Sequence, residues 1–166
     1  PAQGPRAGLV NNAGIIQLKT LADTSARDFD LTMAINLRAP FLLLQAVAPD
    51  MIARRAGAVV SIASSAGKTG GSSAQGVYGV SKAGVICLTK SYARELAAYG
   101  VRVNSVSPAL IETPMIDGLA HLAENVPLRR LGQPAEVAEV VAFLMSERAS
   151  FVTGEDIDVN GGFLMD

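Results

Sequence analysis

The sequence predicts a doubly wound α/β fold built on a parallel sheet. Short apolar segments alternate with long stretches of helical period, and those segments are hydrophobic throughout instead of alternating with polar residues. Strands that are apolar on both faces belong between two helical layers. In addition, small and polar residues collect directly after the apolar segments, at Asn11 to Gly14, Ser61 to Gly67 and Ser107 to Thr113. In such sheets ligands sit outside the carboxyl ends of the strands, so these are the segments expected to carry chemistry.

The elements follow in order. Pro1 to Gly8 has no strand or helix period and reads as a loop; its direct entry into Leu9-Val10 suggests a domain joined in the middle. Leu9 to Asn11, closed by Asn12-Ala13-Gly14, is the first buried strand. Thr24 or Ser25 caps a helix with Asp28 in its first turn, and Phe29, Met33, Leu37, Phe41 and Leu44 hold helical spacing to about Ala53. Gly57 releases the chain into Ala58 to Ile62, a second strand. Lys68 to Gly76, rich in Gly and Ser, reads as a mobile loop. Val77 to Tyr99 is helical and stops at Gly100. Val101 to Val106 is a third strand, ended by Ser107-Pro108. Pro134 opens a third long helix through Val137, Val140, Val141 and Leu144, and Ile157 to Val159 is a last short strand.

With 166 residues, 49% of them hydrophobic, the chain has the core of one domain, 1–166, and no length for a second. Its net charge is −1, and Arg54-Arg55 and Arg129-Arg130 are the only adjacent arginines, so nucleic acid is not an expected partner. The longest apolar stretch, Phe41 to Ala48, contains Gln45 and ends at Pro49, far short of the roughly 20 residues a bilayer requires. No membrane segment is expected. Cys87 is the single cysteine, which excludes an intrachain disulfide and makes the cytoplasm the default compartment. Its neighbours Val85, Ile86 and Leu88 predict a buried packing role. With one histidine, His121, and one cysteine, no metal site is expected.

Tyr78 and Lys82 stand four apart on the second long helix, so their side chains share one face. An isolated phenol titrates near 10, too high for a useful base at neutral pH, and an adjacent ammonium favours the phenolate. Tyr78 is therefore a candidate general acid/base. Alone, a Tyr-x-x-x-Lys spacing is a weak signal, satisfied equally by a solvated pair.

The surrounding motifs change that reading. Asn11-Asn12-Ala13-Gly14, Asn36, Ser64 with Gly67, Tyr78-Gly-Val-Ser-Lys82, Arg102-Val-Asn104-Ser-Val-Ser-Pro108, Glu112-Thr113, Gly132-Gln-Pro134, Val152-Thr-Gly154 and Asn160-Gly161-Gly162 resemble, in order and interval, the motifs of the short-chain dehydrogenase/reductase family. The resemblance covers nearly everything after Gly8. It implies a Rossmann-type three-layer fold and an NAD- or NADP-dependent enzyme interconverting a secondary alcohol and a ketone. It also implies a catalytic tetrad of Asn36, Ser64, Tyr78 and Lys82. Ser64, three before Gly67, is the family's active serine and would stabilise charge on the substrate oxygen; Ser65 reads as a loop hydroxyl bonding local backbone. Lys82 would also hold the cofactor ribose, and Asn36 would place a relay water.

The same resemblance assigns cofactor contacts to Asn12, Ala13, Gly14, Tyr78, Lys82, Pro108, Ile111 and Thr113. The stretch Glu112 to Val126 becomes a lid in which Met115, Leu119 and His121 are candidates to touch substrate. Homodimers or homotetramers through the two long helices, about Ser25 to Ala53 and Val77 to Tyr99, are the implied assemblies. Ala109 stands where the family has glycine, and its methyl group is expected to crowd the nicotinamide; Asn160 stands for the usual aspartate, with the same turn-forming capacity. Pro40 has no N–H, so the Asn36 carbonyl loses its helical partner and is open to the relay water, or else the proline simply kinks the helix.

The family's phosphate-binding turn, Thr-Gly-x-x-x-Gly-x-Gly, is absent from the chain. Without the strands that carry it, the strand at Leu9-Val10 is an edge, expected to be covered by further residues of a longer enzyme or by a partner chain. The competing expectation is a truncated, non-catalytic relative that uses its helices as a binding or assembly module.

Overall fold

The computed structural model describes residues 8–116 and 120–165. Four strands, β1 (Gly8–Asn11), β2 (Gly57–Ile62), β3 (Val101–Pro108) and β4 (Asp156–Val159), form one parallel sheet in the order β1-β2-β3-β4. Register pairs Leu9 with Val59, Val59 with Val103, and Val106 with Ile157. The last strand pairing runs to Pro108 opposite Val159, two residues beyond the expected end of β3. Pro108 lacks an N–H, yet its carbonyl is well placed at the strand end, where it accepts from the Ser65 amide at 3.0 Å.

Alternation along β2 sends neighbouring valines to opposite layers. Val59 and Val103 pack with Leu44, Ala48 and Met51 of helix α2 (Ala39–Arg54) and Ala93 and Leu96 of α4 (Gly76–Leu96). On the other face Val60 and Val106 pack with Leu144 and partly buried Val137, Val140 and Val141 of α5 (Pro134–Met145). The three-layer, Rossmann-like arrangement is therefore present, with β1 at one margin.

The helix ends follow from capping chemistry. Ser25 caps α1 (Ala26–Met33) and forms a capping box with Asp28, whose carboxyl is held down to about 2 by bonds from Lys19 and Ser25. Pro134 starts α5, where Gln133 and Glu136 make the equivalent box. Gly100, at φ 72°, ends the second long helix; a Cβ there would lie 2.7 Å from the Arg55 carbonyl oxygen. The turn out of α2 is made earlier than Gly57, by Arg55 in the left-handed region at φ 51°.

Three expectations need correction. First, the helix expected over Ser25 to Ala53 is interrupted by a π-helical segment, Ala34–Arg38, between α1 and α2. Second, part of the expected loop Lys68 to Gly76 is helical: α3 (Ala66–Thr69) is a single turn ended by Gly70 at φ 83°. Third, Cys87 is exposed. Its apolar neighbours turn inward or sideways on α4, while position 87 faces a groove between the two long helices.

The continuous helix Ala26–Arg54 is long and apolar enough, by length and composition alone, to cross a bilayer. Joining the charged α1 to the apolar α2 produces a length that the run Phe41 to Ala48 did not. Its inner face packs Leu44, Ala48 and Met51 on the sheet, while Phe41, Leu42 and Leu43 remain exposed.

Candidate active site

The carboxyl ends of β1, β2 and β3 and the first turns of α4 enclose a cavity of about 540 Å³. Asn12, Ala13, Gly14, Ser64, Tyr78, Lys82, Pro108, Ile111 and Thr113 all line it. These come from four separate stretches of the chain, and the fold gathers them at one crevice. Among the residues expected to act, Asn36 stands apart: it lies behind the cavity and is almost fully buried.

Ser64 stands two residues past the end of β2, on the way to α3, and its Oγ accepts the Ala66 amide at 3.1 Å. Ser65 is not part of the cavity lining; its amide donates to Pro108 and its carbonyl accepts from Thr69 Oγ1 at 3.1 Å. Tyr78 and Lys82 are on successive turns of α4. Two glycines let α3 and α4 touch at this level: a Cβ on Gly67 would lie 2.8 Å from backbone of Lys82 and Ala83, and one on Gly79 2.9 Å from the Ala66 carbonyl oxygen. Ser64 and Tyr78 are thereby brought side by side on the cavity wall.

Burial pushes the Tyr78 phenol above its ordinary value, and the neighbouring Ser64 hydroxyl opposes that rise. The Lys82 ammonium donates to the Ile62 carbonyl at 2.6 Å and lies 5.7 Å from the centre of the Tyr78 ring. Desolvation lowers Lys82 to about 8.

Asn36 is held rigidly. Its Nδ2 donates to the Ile15 carbonyl at 2.8 Å and to Ser81 Oγ at 3.0 Å, while its Oδ1 accepts the Ile15 amide at 2.8 Å. Ser81 in turn donates to the Tyr78 carbonyl at 2.7 Å. Both side-chain N–H groups are spent, so what Asn36 still offers is acceptance, at the second lone pair of Oδ1 or at its backbone carbonyl. The π segment accompanies this: Ala39 donates to Ala34, a five-residue step, just before Pro40.

The residues present fit a nicotinamide riboside. An ammonium has three donors, and the Ile62 carbonyl takes one of those of Lys82, which lines the cavity. Gly14 keeps the adjoining space open, since a Cβ there would lie 3.4 Å from Lys82 Nζ and 3.5 Å from Asn36 Oδ1. Pro108, Ala109 and Ile111 supply an apolar wall. Thr113 Oγ1 bonds the Ile111 carbonyl at a long 3.3 Å.

Lid residues divide. Met115 lines the cavity with Pro114 and Ile116, whereas His121 is exposed and lines none of the cavity wall. Leu119 lies outside the described residues. Pro134 and Val137, on the first turn of α5, complete the apolar wall; their helical period marked them as core and gave no sign of a ligand-facing role. Asn160 makes the expected turn, its Oδ1 accepting the Gly162 amide at 2.9 Å. Among the described residues no group of three or more His, Cys, Asp or Glu is placed to hold a metal ion.

A parallel α/β sheet with serine, tyrosine and lysine at its carboxyl edge defines the class, and the chain belongs to the short-chain dehydrogenase/reductase family. A family model described as enoyl-(acyl carrier protein) reductase matches residues 4–164. The chain is 43% identical over 162 residues to a 3-oxoacyl-acyl-carrier-protein reductase of Thermotoga maritima, covering 95% of this chain and 65% of that protein. It is 41% identical over 167 residues to human (3R)-3-hydroxyacyl-CoA dehydrogenase, covering 97% and 64%. The crystal structure of a 3-oxoacyl-acyl-carrier-protein reductase from Brucella melitensis superposes with a TM-score of 0.91 at 37% identity, over 96% of this chain and 63% of that one. The chain thus spans about two thirds of the length of these relatives.

Proposed function

We propose that this chain is the catalytic portion of an NAD(P)-dependent oxidoreductase interconverting a secondary alcohol and a ketone, with 3-oxoacyl and 3-hydroxyacyl thioesters as the substrate class. The observation that carries the reading is the convergence of Ser64, Tyr78 and Lys82 on one cavity whose far wall is apolar. Among the described residues Lys82 is the one charged residue of that lining, which suits a neutral ketone on an acyl chain better than a carboxylate or phosphate near the reacting carbon. The names of the relatives point to the same class.

A bound nicotinamide supplies or accepts the hydride. Lys82 and Tyr78 would hold its ribose, Asn12 to Gly14 the adenosine side, and Pro108, Ile111 and Thr113 the carboxamide. In the reductive direction Ser64 donates to the ketone oxygen and stabilises the charge that builds there. Tyr78 delivers the proton to that oxygen, and Lys82 offsets the negative phenolate that results. Asn36, its side-chain N–H groups engaged, contributes through its backbone carbonyl to a water path that returns the proton. NAD and NADP are both admitted. The lone Cys87 fits a cytoplasmic enzyme, and the exposed outer faces of the two long helices fit a homodimer or homotetramer.

The test is a substrate screen on the complete protein with NADH and NADPH, with Tyr78→Phe as control. Turnover of a 3-oxoacyl thioester is expected, and Tyr78→Phe should reduce kcat by about 10² to 10⁴. Full activity in Tyr78→Phe would refute the mechanism. Failure of the complete protein to bind either cofactor would favour a non-catalytic assembly module.

A further inference from the structure

Four residues beyond Ser64, on the single turn α3, Lys68 reaches away from the cavity to the C-terminal strand. Its Nζ lies 2.5 Å from Asp158 Oδ2 and 3.3 Å from Asp156 Oδ2. The two aspartates are two apart on β4 and so present their carboxylates to the same face of the sheet. Asp156 is further bound by Ser105 Oγ at 2.7 Å and by Ser107 Oγ at 2.9 and 2.8 Å. Side-chain exposure is 18% for Lys68, 6% for Asp156 and 21% for Asp158, so this cluster is largely removed from water. Two nearly buried carboxylates side by side need a cation between them, and Lys68 supplies it.

None of these three residues lines the active-site cavity. Their link to it is the short helix itself. The backbone from Ser64 to Lys68 is a tight coil in which Gly67 donates to the Ser64 carbonyl at 2.9 Å and Lys68 to the Ser65 carbonyl at 3.0 Å. At its start Ser65 is fastened to Pro108, and in its middle Gly67 is pressed against α4 with no space for a side chain. Lys68 is the third tie, and it acts along a direction the other two leave open, from the coil to β4.

We propose that Lys68 is a positioning residue: its ion pair with Asp156 and Asp158 fixes α3 and thereby sets the Ser64 hydroxyl against Tyr78 and the substrate oxygen. This inference rests on the proposed role of Ser64. An enzyme in which this serine is slightly displaced still binds cofactor through its other residues, but the hydroxyl no longer meets the oxygen on which charge builds.

The experiment uses the complete enzyme, with the substrate and cofactor selected by the screen above. Lys68→Met should lower kcat about tenfold, within the range that small misplacements produce, while the KM for the nicotinamide cofactor changes little. Lys68→Arg, which retains the ion pair, should recover most of the rate. Asp158→Asn leaves Asp156 as a partner and should give a smaller loss of the same kind. If Lys68→Met fails to fold, Lys68→Arg and Asp158→Asn still decide the matter. A kcat at the parent value in the folded variants, with only the melting temperature lowered, overturns the proposal and leaves the cluster as a fold support. Tyr78→Phe, run beside them, separates the two readings: if it retains full rate, the mechanism itself fails whatever Lys68 does.

Discussion

Lys82 shows how much a single buried cation can decide. The residue is nearly fully buried, and desolvation lowers it from 10.5 to about 8. Between those values the unfolded chain binds more protons than the folded one, so Lys82 makes stability rise with pH across that window. Below about 8 its full penalty is present, amounting to about 3 kcal/mol from the size of the shift. A Lys82→Met variant lacks this titration. Denaturant unfolding of both chains at several pH values should show the variant's advantage largest near pH 7.5 and shrinking toward pH 10, with Tyr78 contributing alike to both. A constant difference would show that the ammonium is better solvated than its burial indicates. The sequence placed Tyr78 and Lys82 on one face but not the direction of the ammonium, because the carbonyl that captures it belongs to Ile62, distant in sequence and adjacent only after β2 meets α4.

At the scale of elements, Pro40 is the informative residue. An uninterrupted α-helix would ask residue 40 for an N–H that proline lacks, and the chain answers with a π segment just before it, in which Ala39 bonds Ala34. That widened turn carries Asn36, whose side chain ties it to Ile15 and, through Ser81, to the backbone of Tyr78. Pro40→Ala should let the helix close its regular bonds and fill the carbonyl of Asn36. The expected result is slower turnover where proton transfer limits the rate, with a changed pH-rate profile; an unaltered profile would reduce the π segment to a packing feature. Gly67→Ala probes the neighbouring contact: its methyl would meet α4 backbone at 2.8 Å, and the overpacking should destabilise the fold by about 1–3 kcal/mol in denaturant unfolding. Strand and helix limits were legible because Gly, Pro and capping residues mark them. The π segment was not, since Pro40 announces a break without saying how it is absorbed. Nor was α3, because a Gly- and Ser-rich stretch gives no helical period, and with it the role of Lys68 was hidden. Cys87 was misjudged because apolar neighbours occur on every face of α4.

For the whole molecule, the apolar surface of the two long helices governs association. Phe41, Leu42 and Leu43 on α2 and Val80 on α4 are each more than a third exposed, and a groove of about 760 Å³ between the two long helices is lined by Met33, Leu37, Phe41, Cys87 and Leu88. Contiguous apolar surface of this kind marks an association site. The other strong candidate for cover is the margin at β1, where Val10 is 43% exposed. The two can be told apart. If the helices form the subunit contact, the complete protein should sediment as a dimer or tetramer, and Phe41→Glu should shift it to a smaller species and abolish any dependence of its melting temperature on protein concentration. The substitution lies outside the cavity, so cofactor binding by the dissociated protein should persist, weakened only as far as the helices loosen. A parent that is already monomeric at tens of micromolar, or a Phe41→Glu variant that keeps its assembly, would assign the association to another face and leave the helix groove to a different occupant.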